Sequence, residues 1–202
     1  MKKQFIRFFT CRNGYMKETD KTIKAGNLLL AEPFMLDTHF KRATLILCEH
    51  NEEGSIGFIL NRPLEVSVSG LIQNFPEFDA EVFYGGPVEN DTIHYIHNVG
   101  DLLEDSVKVA PGVYWGGDFE KLKVLIRSEL VKPENIRFFV GYSGWSTGQL
   151  AEETRMGSWV SAELSPNYIF KSAPEELWQE VMYRKGGQYT VLAQISEGVN
   201  WN

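Results

Sequence analysis

Phe138-Phe139-Val140-Gly141-Tyr142-Ser143-Gly144-Trp145-Ser146-Thr147-Gly148-Gln149-Leu150-Ala151-Glu152-Glu153 is the stretch around which the chain is organised. An apolar run leads into closely spaced glycines and ends in helix-forming residues. It reads as a buried strand, a tight turn and the start of a helix. Glycines without a Cβ let backbones approach closely, so other segments are expected to converge there. Ser146-Thr147-Gly148-Gln149 fits the S-x-x-Q capping box, in which the Gln149 side chain reaches back to the Ser146 backbone N–H.

On the N-terminal side, Gly26 precedes a short strand, Asn27 to Ala31, that Pro33 stops. Residues 34–40 read as a turn of helix or a compact loop with buried aromatics. Two apolar runs follow, Ala43 to Cys48 and Ile56 to Leu60. The polar, glycine-containing connector between them makes a hairpin with a longer loop. Neither run alternates strictly, which predicts burial on both faces. Asn61-Arg62-Pro63 ends the second strand, because proline cannot donate to a ladder. Ser67 is a candidate cap for a short helix, Val68 to Phe75, with Leu71, Ile72 and Phe75 at helical spacing. Strands are expected at Glu81 to Tyr84, Thr92 to His97 and Gly112 to Trp115, with a sharp turn at Gly85-Gly86-Pro87-Val88. Asp118 caps a helix to Leu130 whose apolar face carries Phe119, Leu122, Leu125, Ile126 and Leu130.

C-terminal to the central stretch, Trp159 to Leu164 reads as a strand. Pro174 opens a helix over Glu175 to Arg184 that Gly186-Gly187 closes. Tyr189 to Ile195 fits strand or helix equally well. Strands and helices mix without regular alternation, which indicates α+β architecture. No repeat or low-complexity linker divides the chain, so a single domain is expected over residues 20–202, with residues 1–19 as a tail outside it.

The chain has 202 residues, 43% of them hydrophobic, and a net charge of -7. That is ample material for a packed core. The negative charge disfavours sequence-independent nucleic-acid binding. Two cysteines, Cys11 and Cys48, form no metal-type or redox-type pair and fit a reducing cytoplasm. No apolar run is long enough to span a bilayer. Residues 1–15 carry Lys2, Lys3, Arg7 and Arg12 around aromatic pairs and faintly resemble a signal peptide. Arg7 interrupts the apolar part, however, and no small-residue cleavage site follows. Met16 is a second candidate translation start.

Several motifs coincide along the chain: Gly26-x-Leu28-x-x-Ala31-x-Pro33-x-Met35, Phe40-x-Arg42, Glu49-His50, Gly54-x-x-Gly57, Asn61-Arg62-Pro63, Gly85-Gly86-Pro87-Val88, and Gly141-Tyr142-x-Gly144-Trp145-x-x-Gly148-Gln149-Leu150 with Glu153 and Trp159. Together they resemble the AlgH/YqgE family of bacterial proteins from about Gly26 to Trp159, and more weakly beyond. The resemblance implies a cytosolic protein of no established biochemical activity, often labelled a transcriptional regulator. It also implies an α+β fold: a bent mixed sheet partly closing into a small barrel, surrounded by helices. Where the family usually carries an acidic residue after Gln-Leu, this chain has Ala151. Glu153 keeps the second acidic position, so a shared carboxylate pair would be incomplete here.

Each candidate site residue has a chemical and a structural reading. His50, with Glu49, Glu52 and Glu53 close in sequence, suits a general base or a metal ligand, or a backbone hydrogen bond that pins the hairpin. Arg62, after Asn61, suits bidentate capture of a carboxylate or phosphate, and equally a pair with an internal glutamate or the capping of backbone carbonyls. Gly85 and Gly86 offer N–H groups to an anion, or simply permit an unusual turn. Tyr142, Trp145, Gln149 and Glu153 form a candidate ligand wall, although Trp145 and Trp159 are more typical of a core. Gly141-Tyr142-Ser143-Gly144-Trp145 misses the nucleophile elbow, because Trp145 stands where glycine is required. No P-loop or dinucleotide fingerprint is present. His94 and His97 point to opposite faces of one strand and cannot share a metal from it. No cofactor and no metal are expected.

Two functions follow. One is a regulatory or adaptor protein, an indirect transcriptional regulator, that binds a partner protein or small ligand without turnover. The alternative is an enzyme with one cleft that gathers His50, Asn61, Arg62 and the Gly141–Gln149 turn. Direct DNA binding is a weaker third option, for want of a recognition helix. A cytoplasmic monomer or weak dimer is expected.

Overall fold

The structure is a computed structural model that describes residues 23–195. The proposed tail over residues 1–19, Cys11 and the candidate start Met16 lie outside the described residues. Ten strands and six helices occur among those described. In chain order they are β1 (Asn27–Ala31), β2 (Thr44–His50), β3 (Gly54–Ile59), β4 (Pro63–Ser67), α1 (Val68–Leu71), β5 (Glu81–Tyr84), β6 (Val88–His97), β7 (Val107–Ala110), β8 (Val113–Trp115) and α2 (Phe119–Arg127). A 3₁₀ turn at Pro133–Asn135 leads into β9 (Ile136–Ser146), α3 (Gln149–Arg155), β10 (Trp159–Glu163), α4 (Pro166–Phe170), α5 (Pro174–Lys185) and α6 (Gln188–Ala193).

One sheet runs β10-β1-β2-β3-β9-β6-β8-β7, and β5 pairs with β9 off that path, carrying β4 on its far side. All pairings are antiparallel except β5 with β9, so the sheet is mixed. It curls until a Cβ on Gly26, just before β1, would lie 2.7 Å from the Val109 carbonyl of β7. The result is a half-barrel wrapped by helices, the α+β architecture expected.

β9 is the hinge of this sheet. Its first half pairs with β6 and β5, while its second half, from Ser143 to Ser146, pairs with β3. The glycines at 141 and 144 therefore lie inside a continuous strand, and the expected tight turn over Gly141–Trp145 is replaced by a bend. Gly141 sits at φ 66° in the left-handed region, where a Cβ would meet the Gly86 carbonyl at 2.7 Å. Gly85 is equally pressed, since its Cβ would stand 2.2 Å from the Gly141 carbonyl. The close approach is real. The reversal comes later, at Thr147 and Gly148, before α3.

Both faces of the β1–β3 region are covered, as their unbroken apolar runs require. Leu28, Leu30, Ile46 and Phe58 face α5 through Leu177, Trp178, Val181 and Met182. Leu29, Leu45, Leu47 and Ile59 face Trp145, Leu150 and Trp159. A second core sits between the β5-β9-β6 segment and α2, where Val82, Tyr95 and Phe138 pack on Leu122, Leu125 and Ile126. Phe138 and Phe139 split between the two sides, as alternate strand residues must.

Other expectations need correction. β3 does end before Asn61-Arg62-Pro63, but Pro63 also opens an unexpected strand, β4, which pairs only with β5 and so is an edge strand, where proline is tolerated. The helix begun at Ser67 ends at Leu71, although Ser67 does accept from Gly70 N–H. α2 stops at Arg127, and Leu130 is 57% exposed and off the apolar face. The 34–40 segment is a loop in which Phe40 packs edge-on against Trp159, but Phe34 is exposed. β7 and α4 were not foreseen. The 188–193 segment is helical.

Candidate functional site

The β2–β3 hairpin tip and the end of β9 enclose a groove of about 410 Å³. Its walls include Glu49 and Glu53 from the tip, Val88 from β6, and Tyr142, Gly144 and Trp145 from β9. Local chemistry builds the tip. Asn51 Oδ1 accepts from the N–H groups of Glu53 (2.8 Å) and Gly54 (3.1 Å), a side-chain-closed turn. Asn51 Nδ2 donates to Glu49 Oε1 at 2.6 Å. The Thr147 hydroxyl, at the end of β9, lies 3.0 and 3.1 Å from the carbonyls of Glu52 and Glu53 and ties the tip to the strand.

His50 is exposed at the end of β2, and its Nδ1 lies 2.7 Å from the Ser55 hydroxyl directly across the hairpin. This contact pins the tip. Asn61 and Arg62 lie at the other end of β3, about 20 Å away at ~3.3 Å per strand residue. Asn61 is buried: its Oδ1 accepts from Thr44 N–H and its Nδ2 donates to the Arg42 carbonyl, each at 2.9 Å. Arg62 donates to the carbonyls of Asn61 and Lys41. The cleft expected to unite His50, Asn61 and Arg62 with the Gly141–Gln149 segment is thus split by the length of a strand.

Gln149, Glu153 and the two tryptophans form one cluster. Gln149 Oε1 accepts from the Ser146 N–H at 3.1 Å, as read from the sequence, but only that half of the expected capping box forms: α3 starts at Gln149 itself, Gly148 is its N-cap, and the Ser146 hydroxyl caps no helix N–H. Its amide donates to Glu153 Oε1 at 2.9 Å. Glu153 Oε2 accepts from the indole N–H of Trp145 (3.0 Å) and of Trp159 (2.8 Å). The rings meet edge to face at 5.9 Å. One carboxylate therefore satisfies two buried indoles, and Glu153 is occupied by the scaffold. Gly85 is likewise committed: its N–H donates to Val140, and its carbonyl accepts from Ile59 N–H and the buried Ser143 hydroxyl.

Tyr142 faces the groove. Burial, and then the Glu89 carboxylate beside it, raise its phenol above the ordinary range. Its ring meets His94 edge to face at 5.7 Å. Burial lowers His94, with Glu89 opposing. Glu89 went unnoticed in the sequence, where nothing separates it from any other loop carboxylate. Arg137 was also missed, although it left a signal: it is the one charge within the apolar run Ile136 to Val140. Among the described residues no cluster of three or more His, Cys, Asp or Glu is placed to hold a metal. Among the same residues no helix is long and apolar enough to cross a membrane.

A family model described as AlgH-like matches residues 28–190. A UPF0301 protein of Chlorobaculum parvum is 46% identical over 175 residues, which cover 87% of this chain and 94% of that protein. The solution structure of the AlgH protein from Pseudomonas aeruginosa is similar at 25% identity and a TM-score of 0.69, covering 91% of this chain and all of that one. A crystal structure of a protein from Corynebacterium diphtheriae has the same fold at 22% identity and a TM-score of 0.72, covering 89% of this chain and 95% of that chain.

Proposed function

The chain belongs to the AlgH-like family, and from that premise we propose that it is a regulatory or adaptor protein that works by binding, without turnover. The groove between the hairpin tip and β9 is the binding surface, and a cationic segment of a partner protein is what it receives. One observation carries this reading: the groove sets the half-buried Tyr142 ring beside the exposed carboxylates of Glu49 and Glu53. An aromatic wall with an acidic rim suits a Lys or Arg side chain, whose stem packs on the ring while its charge meets the carboxylates. The polar groups that catalysis would need are taken up internally, His50 by Ser55 and Glu153 by two indoles and Gln149. The protein acts in the cytoplasm as a monomer or weak dimer, and influences transcription indirectly. A net charge of -7 and an acidic groove oppose direct contact with a phosphate backbone.

The test is an amide chemical-shift titration with a short arginine-rich peptide and a glutamate-rich peptide of the same length. Shifts are expected with the first alone, centred on residues 49–56 and 142–145, and lost in Glu49→Lys/Glu53→Lys. Equal shifts with both peptides, or none at millimolar peptide, would remove the proposal.

A further inference from the structure

At the opposite end of β9 from Trp145, Arg137 is only 8% exposed. Its guanidinium stacks 4.3 Å from the centre of the Phe83 ring and donates one hydrogen bond, Nη1 to the Leu60 carbonyl at 3.0 Å. Among the described residues that is the one acceptor it reaches, which leaves four of its five N–H donors without a protein partner. Burial pulls its pKa down to about 10, with Glu81 opposing, so it stays charged at neutral pH. Among the described residues the Thr44 hydroxyl is the one buried side-chain group without a partner, so the remaining Arg137 donors still reach solvent and are open to a ligand.

The guanidinium lines a cleft of about 200 Å³. Exposed carboxylates of Asp79, Glu81 and Glu134 stand around it, and Ile169 and Phe170 of α4 form an apolar wall. Backbone register explains the grouping: Val82 pairs in parallel with Phe138, so Glu81 and Arg137, each one residue earlier, stand side by side on neighbouring strands. The volume is below the ~300–1,000 Å³ of sites for drug-sized molecules, so the occupant is smaller than those. A simple anion would use the arginine but meet three carboxylates. A simple cation would suit the carboxylates but meet a buried arginine.

We infer that this cleft binds a small zwitterion of the free α-amino acid class. The ligand carboxylate takes the unused donors of Arg137, its ammonium meets the carboxylates of Asp79, Glu81 and Glu134, and a short apolar side chain lies on Ile169 and Phe170. Planar carboxylate recognition is what the guanidinium fork does best.

The test titrates the full-length protein with L-leucine, L-leucinamide and N-acetyl-L-leucine, followed by calorimetry and amide chemical shifts. Leucine is expected to shift residues 79–81, 134–137 and 169–170. Each analogue, lacking one charge, should bind about tenfold more weakly or worse, the ~1.4 kcal/mol of one charge-assisted contact. Because Arg137 also braces the fold, the rim variant Asp79→Asn/Glu81→Gln/Glu134→Gln accompanies Arg137→Lys. The rim variant should lose leucine affinity while keeping that for N-acetyl-L-leucine, and Arg137→Lys should weaken both. No leucine binding at millimolar concentration, equal affinity for leucine and leucinamide, or an unchanged leucine affinity in the rim variant overturns the inference. The groove at the other end of β9 is unaffected by any of these outcomes.

Discussion

Replacing Glu153 with alanine tests whether its carboxylate is a structural hub. Wild-type Glu153 accepts from Trp145 Nε1 at 3.0 Å, Trp159 Nε1 at 2.8 Å and Gln149 Nε2 at 2.9 Å. The two indoles are 6% and 4% exposed, so the substitution strands two buried donors. A stranded donor costs ~1–3 kcal/mol, and water entering the half-buried site relieves part of that, for a total of about 3 kcal/mol. Against a domain stability of ~5–15 kcal/mol, that loss is easily measured. Glu153→Gln keeps one acceptor oxygen but removes the charge, and should cost about half as much. Urea unfolding, followed by tryptophan fluorescence and far-UV circular dichroism, reads both variants. Glu153→Ala combined with Trp145→Phe should be less damaging than the sum of the two singles by about 1 kcal/mol or more, because the second change removes a donor already stranded. Strict additivity, or a loss below ~0.5 kcal/mol for Glu153→Ala, would refute the hub, since that is the range of ordinary surface substitutions.

Two further outcomes follow from the same geometry. Gly141→Ala must hold φ 66° and place a Cβ 2.7 Å from the Gly86 carbonyl and 2.8 Å from the Val88 carbonyl, so it should destabilise by about 3 kcal/mol or prevent soluble expression; Gly157→Ala, also at positive φ but with open space around it, should cost much less in the same unfolding assay. His97 is fully buried, with Nδ1 accepting from Val99 N–H and Nε2 donating to the Gly116 carbonyl, and burial lowers its pKa. Its folded pKa lies below its unfolded value of ~6.5, so the unfolded state binds more protons and stability should fall as pH drops below ~6.5. Burial lowers His94 in the same direction. Chemical denaturation between pH 7.5 and pH 5 checks this at about half-unit steps, and stability that rises toward pH 5 would contradict it.

Much of the architecture could be read locally because it is set by local physics. The unbroken apolar runs of β2 and β3 announce burial on both faces, and Leu28 to Leu30 meet core on each side. Asp118 caps α2 by accepting from Lys121 N–H, and Gln149 closes back on Ser146, both as short-range rules require. Family membership was carried by motifs spread over most of the chain. The elements that escaped detection were short or ambiguous. β7 and α4 have four and five residues and little periodicity, and Leu130 lost its place on α2 because the helix ended one turn early.

Sequence alone determined the α+β class, most strands, the caps and the converging glycines, because hydrophobic period, capping and positive φ are properties of neighbouring residues. Which polar groups meet was decided only by tertiary structure. The bend at Gly141 lets one strand serve two regions of the sheet, and so sends Trp145 to the hairpin tip and Arg137 to the other end. Register along β3 separates His50 from Arg62, though both flank the same hairpin in sequence. Long-range pairing is set by the summed burial of whole faces, and no single residue records it. That is why Glu153, Trp145 and Trp159 could each be singled out from the chain while their meeting, and the company kept by Arg137, could not.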